Sequence, residues 1–218
     1  MLDAVGAYQT LAGLMLENYK IKFVGKEKGN IKSSHTQSLT ASFSFEEIDH
    51  ADILFIPGGE NIRKTCLDEE LINWIKAIDQ NSDYTLAVGS GVVLLSETGV
   101  LIDRKSTSIW INEDQLVDDG ANFIHDNFVM DGKYYTGKGV SAAIDIALTL
   151  ISEIGGESLA KTMQLLLEYA PNPPIRSNYY LPNNDKEINI TNTLLNNDNK
   201  VKEGSGEKNI VMLLYEVK

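Results

Sequence analysis

Apolar and polar residues in the first quarter of the chain are spaced as in a helix followed by several strands. Apolar residues recur at helical spacing over residues 3–18, and residues 19–25 then read as a strand. Residues 33–45, "SSHTQSLTASFSF", are polar and β-leaning, which indicates a hairpin or an irregular β segment. Residues 51–60, "ADILFIPGGE", predict a buried strand with an apolar run at residues 53–56 that is broken at Pro57.

Helices and strands continue to alternate to about residue 170. The expected helices are residues 68–80, 112–120, 140–156 and 158–170. The expected strands are residues 84–88 and 106–110, and residues 127–137 read as a hairpin with an Asp-Gly turn. This alternation predicts an α/β fold with a mostly parallel sheet that helices cover on both faces.

The two ends of the chain depart from this pattern. The segment from about residue 181 to residue 208 is polar and rich in asparagine, with little to bury. Residues 210–215 follow and are the most strand-like apolar run in the sequence, although termini seldom resemble central strands. The chain also opens directly on a helix, without the leading strand expected of a doubly wound sheet.

Composition narrows the possible partners and compartments. There are 31 acidic and 19 basic residues, so the net charge is −12, and no basic face gathers that would favour nucleic acid. Cys66 is the single cysteine, so no internal disulfide forms and a reducing compartment such as the cytoplasm is expected. The three histidines lack metal-ligand spacing, so no metal is expected. No signal peptide and no apolar run of membrane-spanning length is seen.

Six segments, in this order, resemble the ThiJ/PfpI superfamily, which has the class I glutamine amidotransferase-like fold. They are "LDAVGAY", "ADILFIPGGE", "AVGSGVVLLSETGVL", "STSIW", "YYTGKGVSAAIDIALTL" and "MQLLLEYAPNPP". The last two are most similar to the isonitrile (isocyanide) hydratase branch. The resemblance runs from residue 2 to about residue 175. It implies a single flavodoxin-like domain over residues 1–218, a three-layer sandwich without a cofactor, and a homodimer.

The same resemblance suggests an origin for the unusual ends. Members of the superfamily begin with a strand similar to "IVMLLY", followed by a short loop and the first helix, and reading Lys218 into Met1 restores that order. Residues 204–206, "GSG", resemble a flexible linker within the polar segment 182–208. A circular permutant is therefore predicted, with residues 209–215 as the family's first strand beside residues 51–57. The alternative is a truncated start with an unrelated tail strand.

The stretch "YTLAVGSGVVLL", residues 84–95, reads as a strand that turns sharply into a helix. Turns of this kind expose a nucleophile in several enzyme classes. The resemblance places the family's cysteine nucleophile at Gly89, so the thiol is absent, and Cys66 lies in another connection. Glycine tolerates the strained backbone of such a turn. The alternative, from this stretch alone, is an ordinary glycine-rich turn.

The resemblance assigns further site residues around this turn. Asp3 corresponds to the acid that works beside the cysteine in isonitrile hydratases, with proton transfer or handling of water as its role. The residues alone allow a helix N-cap instead. Ser90 stands at a threonine position of the family, where its hydroxyl and N–H face the substrate. Gly58 and Gly59 are expected to approach the substrate, with the Gly59 N–H as a second donor.

Three more glycines are expected near the substrate. Gly91 follows the turn, and Gly137 and Gly139 lie in "GKGVSA", which matches a dinucleotide-binding pattern but lacks the following strand and acid. They are therefore interpreted as close backbone approach to the site. Ile109 stands where many superfamily members have a histidine, which lowers the expectation of peptide hydrolysis.

The reaction implied by the resemblance adds water to an isocyanide carbon and yields an N-substituted formamide. The cysteine attacks the terminal carbon, an acid supplies a proton, and water releases the product. Without the thiol, this chain is expected to bind small apolar isocyanides and to be inactive or very weakly active. Two alternatives stay open: a non-enzymatic binding or sensing protein, and residual hydration in which Asp3 alone activates water.

Overall fold

The computed structural model describes residues 1–33, 37–60, 62–172 and 209–214. The helices are α1 (Leu2–Leu11), α2 (Ile62–Thr65), α3 (Glu69–Gln80), α4 (Gly91–Glu97), α5 (Glu113–Asp118), α6 (Ala142–Gly155) and α7 (Glu157–Leu166). The strands are β1 (Lys20–Gly25), β2 (Gly29–Lys32), β3 (Ser38–Ala41), β4 (Phe43–Ser44), β5 (Ile53–Ile56), β6 (Tyr84–Val88), β7 (Lys105–Ser106), β8 (Asn122–Phe123), β9 (Phe128–Asp131), β10 (Tyr134–Gly137) and β11 (Asn209–Leu213).

A seven-stranded sheet forms the centre of the molecule, in the order β4-β1-β11-β5-β6-β10-β9. Every neighbouring pair is parallel except β9 and β10, which form the hairpin expected over residues 127–137. The fold class predicted from the sequence, α/β with a mostly parallel sheet, is therefore confirmed. Within the described residues, no helix is both long and apolar enough to cross a membrane.

Side chains alternate between two cores, one on each face of the sheet. Leu54 and Ile56 point into the core that α3 and α4 cover, whereas Ile53 and Phe55 point into the core that α1 and α6 cover. This alternation follows from the two-residue period of a strand. Because both faces are buried, the central strands read as continuous apolar runs.

Strand β11 lies inside the sheet, between β1 and β5. It pairs in parallel with β1 along its whole length, and residues 210–212 also pair with β5. Side chains 210–213 have no exposed surface. The strand thus occupies the place expected beside residues 51–57. The circular permutation stays a prediction, as does the single domain, and the polar segment 182–208 and Tyr215 lie outside the described residues.

The prediction of a strand over residues 106–110 is wrong. Only Lys105–Ser106 is extended in a sheet, and Trp110–Asn112 forms a 3₁₀ turn. Hydrogen bonds that involve side chains hold this segment in place of the backbone pairing of a strand. The Thr107 N–H donates to Thr136 Oγ1 (3.0 Å), and the Ser108 hydroxyl donates to the Gly89 carbonyl (2.6 Å). A segment whose hydrogen bonds end on side chains and turns has no regular strand to join.

The burial of β11 predicts how substitutions in this strand change the free energy of unfolding. Met212→Ala should lower the free energy of unfolding by about 2 to 5 kcal/mol, because Met212 is fully buried and truncation leaves a cavity. Met130→Ala is the matched control, since Met130 lies in strand β9 but is 46% exposed, and it should change stability by about 0.5 kcal/mol or less. Urea unfolding of both variants gives the comparison. Equal, small effects would contradict the placement of β11.

Candidate active site at the carboxyl edge of the sheet

Three neighbouring parallel strands end at the same edge of the sheet, and a glycine-containing turn follows each. Gly58 follows β5, Gly89 follows β6, and Gly139 lies just after β10. A Cβ atom built on Gly89 would lie 3.7 Å from the Gly58 Cα and 3.8 Å from the Gly139 Cα. The three turns therefore converge on one point, in the crevice where α/β proteins commonly bind ligands.

Backbone and side-chain bonds hold the turn at Gly89. Its φ is +56°, in the left-handed region that glycine adopts without a Cβ penalty. The Gly89 N–H donates to the Gly137 carbonyl (2.9 Å), and the Gly89 carbonyl accepts the Ser108 hydroxyl (2.6 Å), which in turn accepts Asn112 Nδ2 (2.9 Å). The sharp strand-to-helix turn predicted for residues 84–95 is therefore present, and Gly89 at its tip is buried.

Asp3 reaches the same point from the start of α1. It is 8% exposed, its Oδ2 accepts the Gly58 N–H (3.0 Å), and that oxygen lies 3.5 Å from a Cβ built on Gly89. Burial raises the pKa of this carboxyl, and the positive charge of the amino terminus and, to a smaller extent, the Gly58 hydrogen bond offset the shift only in part. The N-cap alternative does not fit, because α1 begins at Leu2 and makes no side-chain cap hydrogen bond.

Ser90 and Gly59 are brought together, but not as the expected pair of donors toward a substrate. The Gly59 N–H donates to Ser90 Oγ (2.9 Å), and the Ser90 hydroxyl donates to the Gly59 carbonyl (2.5 Å). The Ser90 side chain crosses from the turn after β6 to the loop after β5. In this arrangement both groups tie two turns together, and a substrate would have to break these bonds to use them.

Gly91 and Gly137 have packing roles that the sequence did not reveal. A Cβ on Gly91 would collide with the carbonyl oxygens of Ile56 and Pro57, the latter at 2.5 Å. A Cβ on Gly137 would lie 2.6 Å from the Ile146 side chain. These glycines let α4 and α6 approach the strands that carry the site. Gly139, with φ +133°, lines the site itself.

Sequence reasoning missed the contribution of Ser108 and Asn112. The sequence feature that could have indicated this role is the run of small polar residues "STS", residues 106–108, within the segment predicted to be a strand. Both residues are buried with their side chains bonded to each other and, through Ser108, to the turn. Buried hydroxyl and amide groups require such partners, which explains polar residues at these positions.

Cys66 does not serve this site. It lies by Glu97, at the opposite end of α4 from the glycine turn, and burial together with Glu97 raises the pKa of the thiol to about 12. A thiol with so high a pKa supplies almost no thiolate at neutral pH. Among the residues that the structure describes, no group of three or more His, Cys, Asp or Glu side chains could hold a metal ion.

The chain belongs to the DJ-1/PfpI family, whose sequence model matches residues 2–153. Isonitrile hydratase from Pseudomonas putida is 34% identical over 176 residues, which is 81% of this chain and 76% of that protein. The crystal structure of a ThiJ/PfpI family protein from Pseudomonas syringae superposes with a TM-score of 0.78 at 26% identity, covering 89% of this chain and 79% of that one.

A regulator also shares this domain. The HTH-type transcriptional regulator CdhR of Pseudomonas aeruginosa is 27% identical over 145 residues, which are 65% of this chain and 43% of the regulator. This chain therefore spans less than half the length of that protein. The family is thus shared by an enzyme and a transcription regulator among the relatives of this chain.

The buried carboxyl predicts a pH-dependent difference between the parent chain and Asp3→Asn. The pKa of Asp3 is higher in the folded protein than in the unfolded chain, where it is near 3.8, so the folded protein binds the Asp3 proton more tightly. The resulting stabilisation is fully present below the unfolded pKa and is lost as pH rises through the folded pKa. The uncharged variant escapes the loss. The free energy of unfolding of Asp3→Asn should therefore increase relative to that of the parent chain as pH rises through this range. Urea unfolding of both proteins at several pH values measures this difference. A pH-independent difference would refute the raised pKa.

Glycine geometry predicts opposite outcomes for two alanine substitutions in one turn. Gly89→Ala should fold with a cost of about 1 to 2 kcal/mol, because its Cβ has room and only the positive φ is strained. Gly91→Ala should be far more destabilising, since its Cβ meets backbone oxygens that cannot move aside. Urea unfolding measures both, and a reversed order would show that the turn is built differently.

Proposed function

We propose that this chain is an isonitrile hydratase-like protein that binds small apolar isocyanides and, lacking a thiol at Gly89, hydrates them very slowly or not at all. One observation carries the proposal: a side chain at Gly89 would point at the buried carboxyl of Asp3, 3.5 Å from its Cβ. The 34% identity to an isonitrile hydratase over 81% of the chain supports the same substrate class.

The chemistry suits a carboxyl whose pKa is raised. An isocyanide, R–N≡C, carries a lone pair on its terminal carbon. Asp3 in its acid form can transfer a proton to that carbon. Water then bonds to the same carbon, a proton from the water returns to the Asp3 carboxylate, and the R–N=CH–OH product tautomerises to the formamide. This path balances without a cofactor, and it corresponds to residual hydration by Asp3 alone.

A thiol would divide this reaction into two easier steps. It would bond to the terminal carbon as Asp3 protonates that carbon, and water would then displace the thiol. Gly89 removes this route, and the loss of a covalent nucleophile commonly costs several orders of magnitude in rate. The low turnover that we expect therefore follows from the absence of a thiol at residue 89.

A non-enzymatic binding or sensing role is the second candidate. The observation that favours it is the similarity to the regulator CdhR, together with glycine at the nucleophile position. A sensor needs the pocket but not the thiol. For either role we expect a cytoplasmic homodimer that binds neither nucleic acid nor membrane, as the composition and the family resemblance suggested.

Restoring the thiol tests the enzymatic proposal. Gly89→Cys should form N-substituted formamide from an aryl isocyanide at least about 100-fold faster than the parent chain, because it regains covalent catalysis. Gly89→Ala is the matched control, since it has the same backbone strain without a nucleophile. Liquid chromatography with mass spectrometry quantifies the formamide.

Adding Asp3→Asn to Gly89→Cys should remove most of the restored rate, because the variant lacks the proton donor. If Gly89→Cys and Gly89→Ala are equally slow while both remain folded, the hydratase proposal is wrong. A binding or sensing role then becomes the better account of the site.

A further inference from the structure

The point where the three glycine turns converge is faced by two side chains of opposite character. Among the atoms nearest to a Cβ built on Gly58, Gly89 or Gly139, the side-chain atoms are the Asp3 Oδ2 and the Ile109 Cγ2. The remaining nearest atoms belong to the backbone. Apart from the glycines' own chain neighbours, Asp3 and Ile109 are thus the residues whose side-chain atoms are among those nearest to these three positions.

The methyl group lies close to the turn that carries the proposed chemistry. A Cβ built on Gly139 would be 3.4 Å from the Ile109 Cγ2 and 3.4 Å from the Gly89 Cα. Ile109 and the turn at Gly89 therefore both border the position of Gly139. An apolar wall at this position stabilises an apolar substituent and leaves a charged one without a partner.

The backbone around Ile109 is fixed by buried hydrogen bonds. Ser108, its neighbour, donates to the Gly89 carbonyl (2.6 Å), and the Ile109 carbonyl accepts the Asn112 N–H (3.0 Å). One residue earlier, the Thr107 N–H donates to Thr136 Oγ1 (3.0 Å). Because hydrogen bonds fix the backbone on both sides of Ile109, its side chain can discriminate between ligands by shape and polarity better than a side chain on a mobile loop.

Charged side chains of the neighbouring segments interact with one another. Lys138, next to Gly139, directs its Nζ to the His125 carbonyl (3.4 Å). Burial lowers the pKa of Lys138, and the nearby Asp126 and Glu113 carboxylates offset this shift only in part. His125 Nε2 lies 3.3 Å from Glu113 Oε1. These groups form a polar cluster that includes the chain neighbour of Gly139, and each charge in it has an opposite or polar neighbour.

We propose that Ile109 determines which isocyanides this site accepts: it favours uncharged substrates with a bulky apolar group on nitrogen and disfavours those with a charged group. This inference rests on the proposed function, because it assumes that isocyanides bind at the glycine turns. In the bound arrangement, the terminal carbon lies by Asp3 and the substituent lies against Ile109.

The test compares two ligands and two matched variants of the full chain. Binding of 4-fluorophenyl isocyanide is followed by fluorine NMR, and isocyanoacetate is measured by its ability to displace it. Ile109→Asn should weaken binding of the aryl isocyanide about 10-fold or more, since a buried apolar contact is lost, with isocyanoacetate affected much less. Ile111→Asn, two residues further on at a more exposed position of the same turn, should leave both affinities unchanged.

Each outcome separates the inference from the proposed function. If the parent chain binds neither isocyanide, the proposed function fails and the inference falls with it. If the parent binds the aryl isocyanide but Ile109→Asn and Ile111→Asn behave alike, Ile109 does not select the substrate, although the proposed function survives. Should Ile109→Asn fail to fold by circular dichroism, Ile109→Ala replaces it, and an unchanged ratio of the two affinities would overturn the inference.

Discussion

The architecture depends on strand β11 filling the place between β1 and β5. Four of its side chains are fully buried, and they alternate between the two cores. Without this strand, β1 and β5 would each present an unpaired edge in the middle of the molecule, where backbone groups cannot reach water. The segment that completes the sheet lies at the far end of the sequence from the helix that supplies Asp3, so the site and the sheet centre are joined by non-local contacts.

The arrangement of the sheet determines where a site can form. Parallel strands end at one edge, and β5, β6 and β10 lie side by side there, so their following turns meet. Glycine at each turn permits the close approach, and packing glycines Gly91 and Gly137 bring α4 and α6 down onto the strands. Asp3 is held at this edge by the Gly58 N–H, which offsets part of the cost of burying a carboxylate. The candidate site is thus built from the backbone of these turns together with the Asp3 carboxyl.

Much of this could be predicted from the sequence because the strands are buried on both faces. Continuous apolar runs identified β5, β6 and β11, and the family resemblance placed Gly89 and Asp3 near each other. The segment over residues 106–110 was missed because its composition resembles a strand while its hydrogen bonds go to side chains such as Thr136. The bond between Ser90 and Gly59 was missed for a similar reason: side-chain bonds across turns depend on how β5 and β6 align, which local sequence does not encode.

The turn at Gly89 is held by groups other than a side chain at that position. The turn keeps its shape through the Gly137 carbonyl and the Ser108 hydroxyl, neither of which needs a side chain at residue 89. Glycine also removes the strain that a Cβ would add at positive φ. The positions of the Asp3 carboxyl and the Ile109 methyl group therefore do not require a side chain at residue 89. Under the proposed function, a slow enzyme and a binding protein would therefore share one scaffold and differ in the group at residue 89.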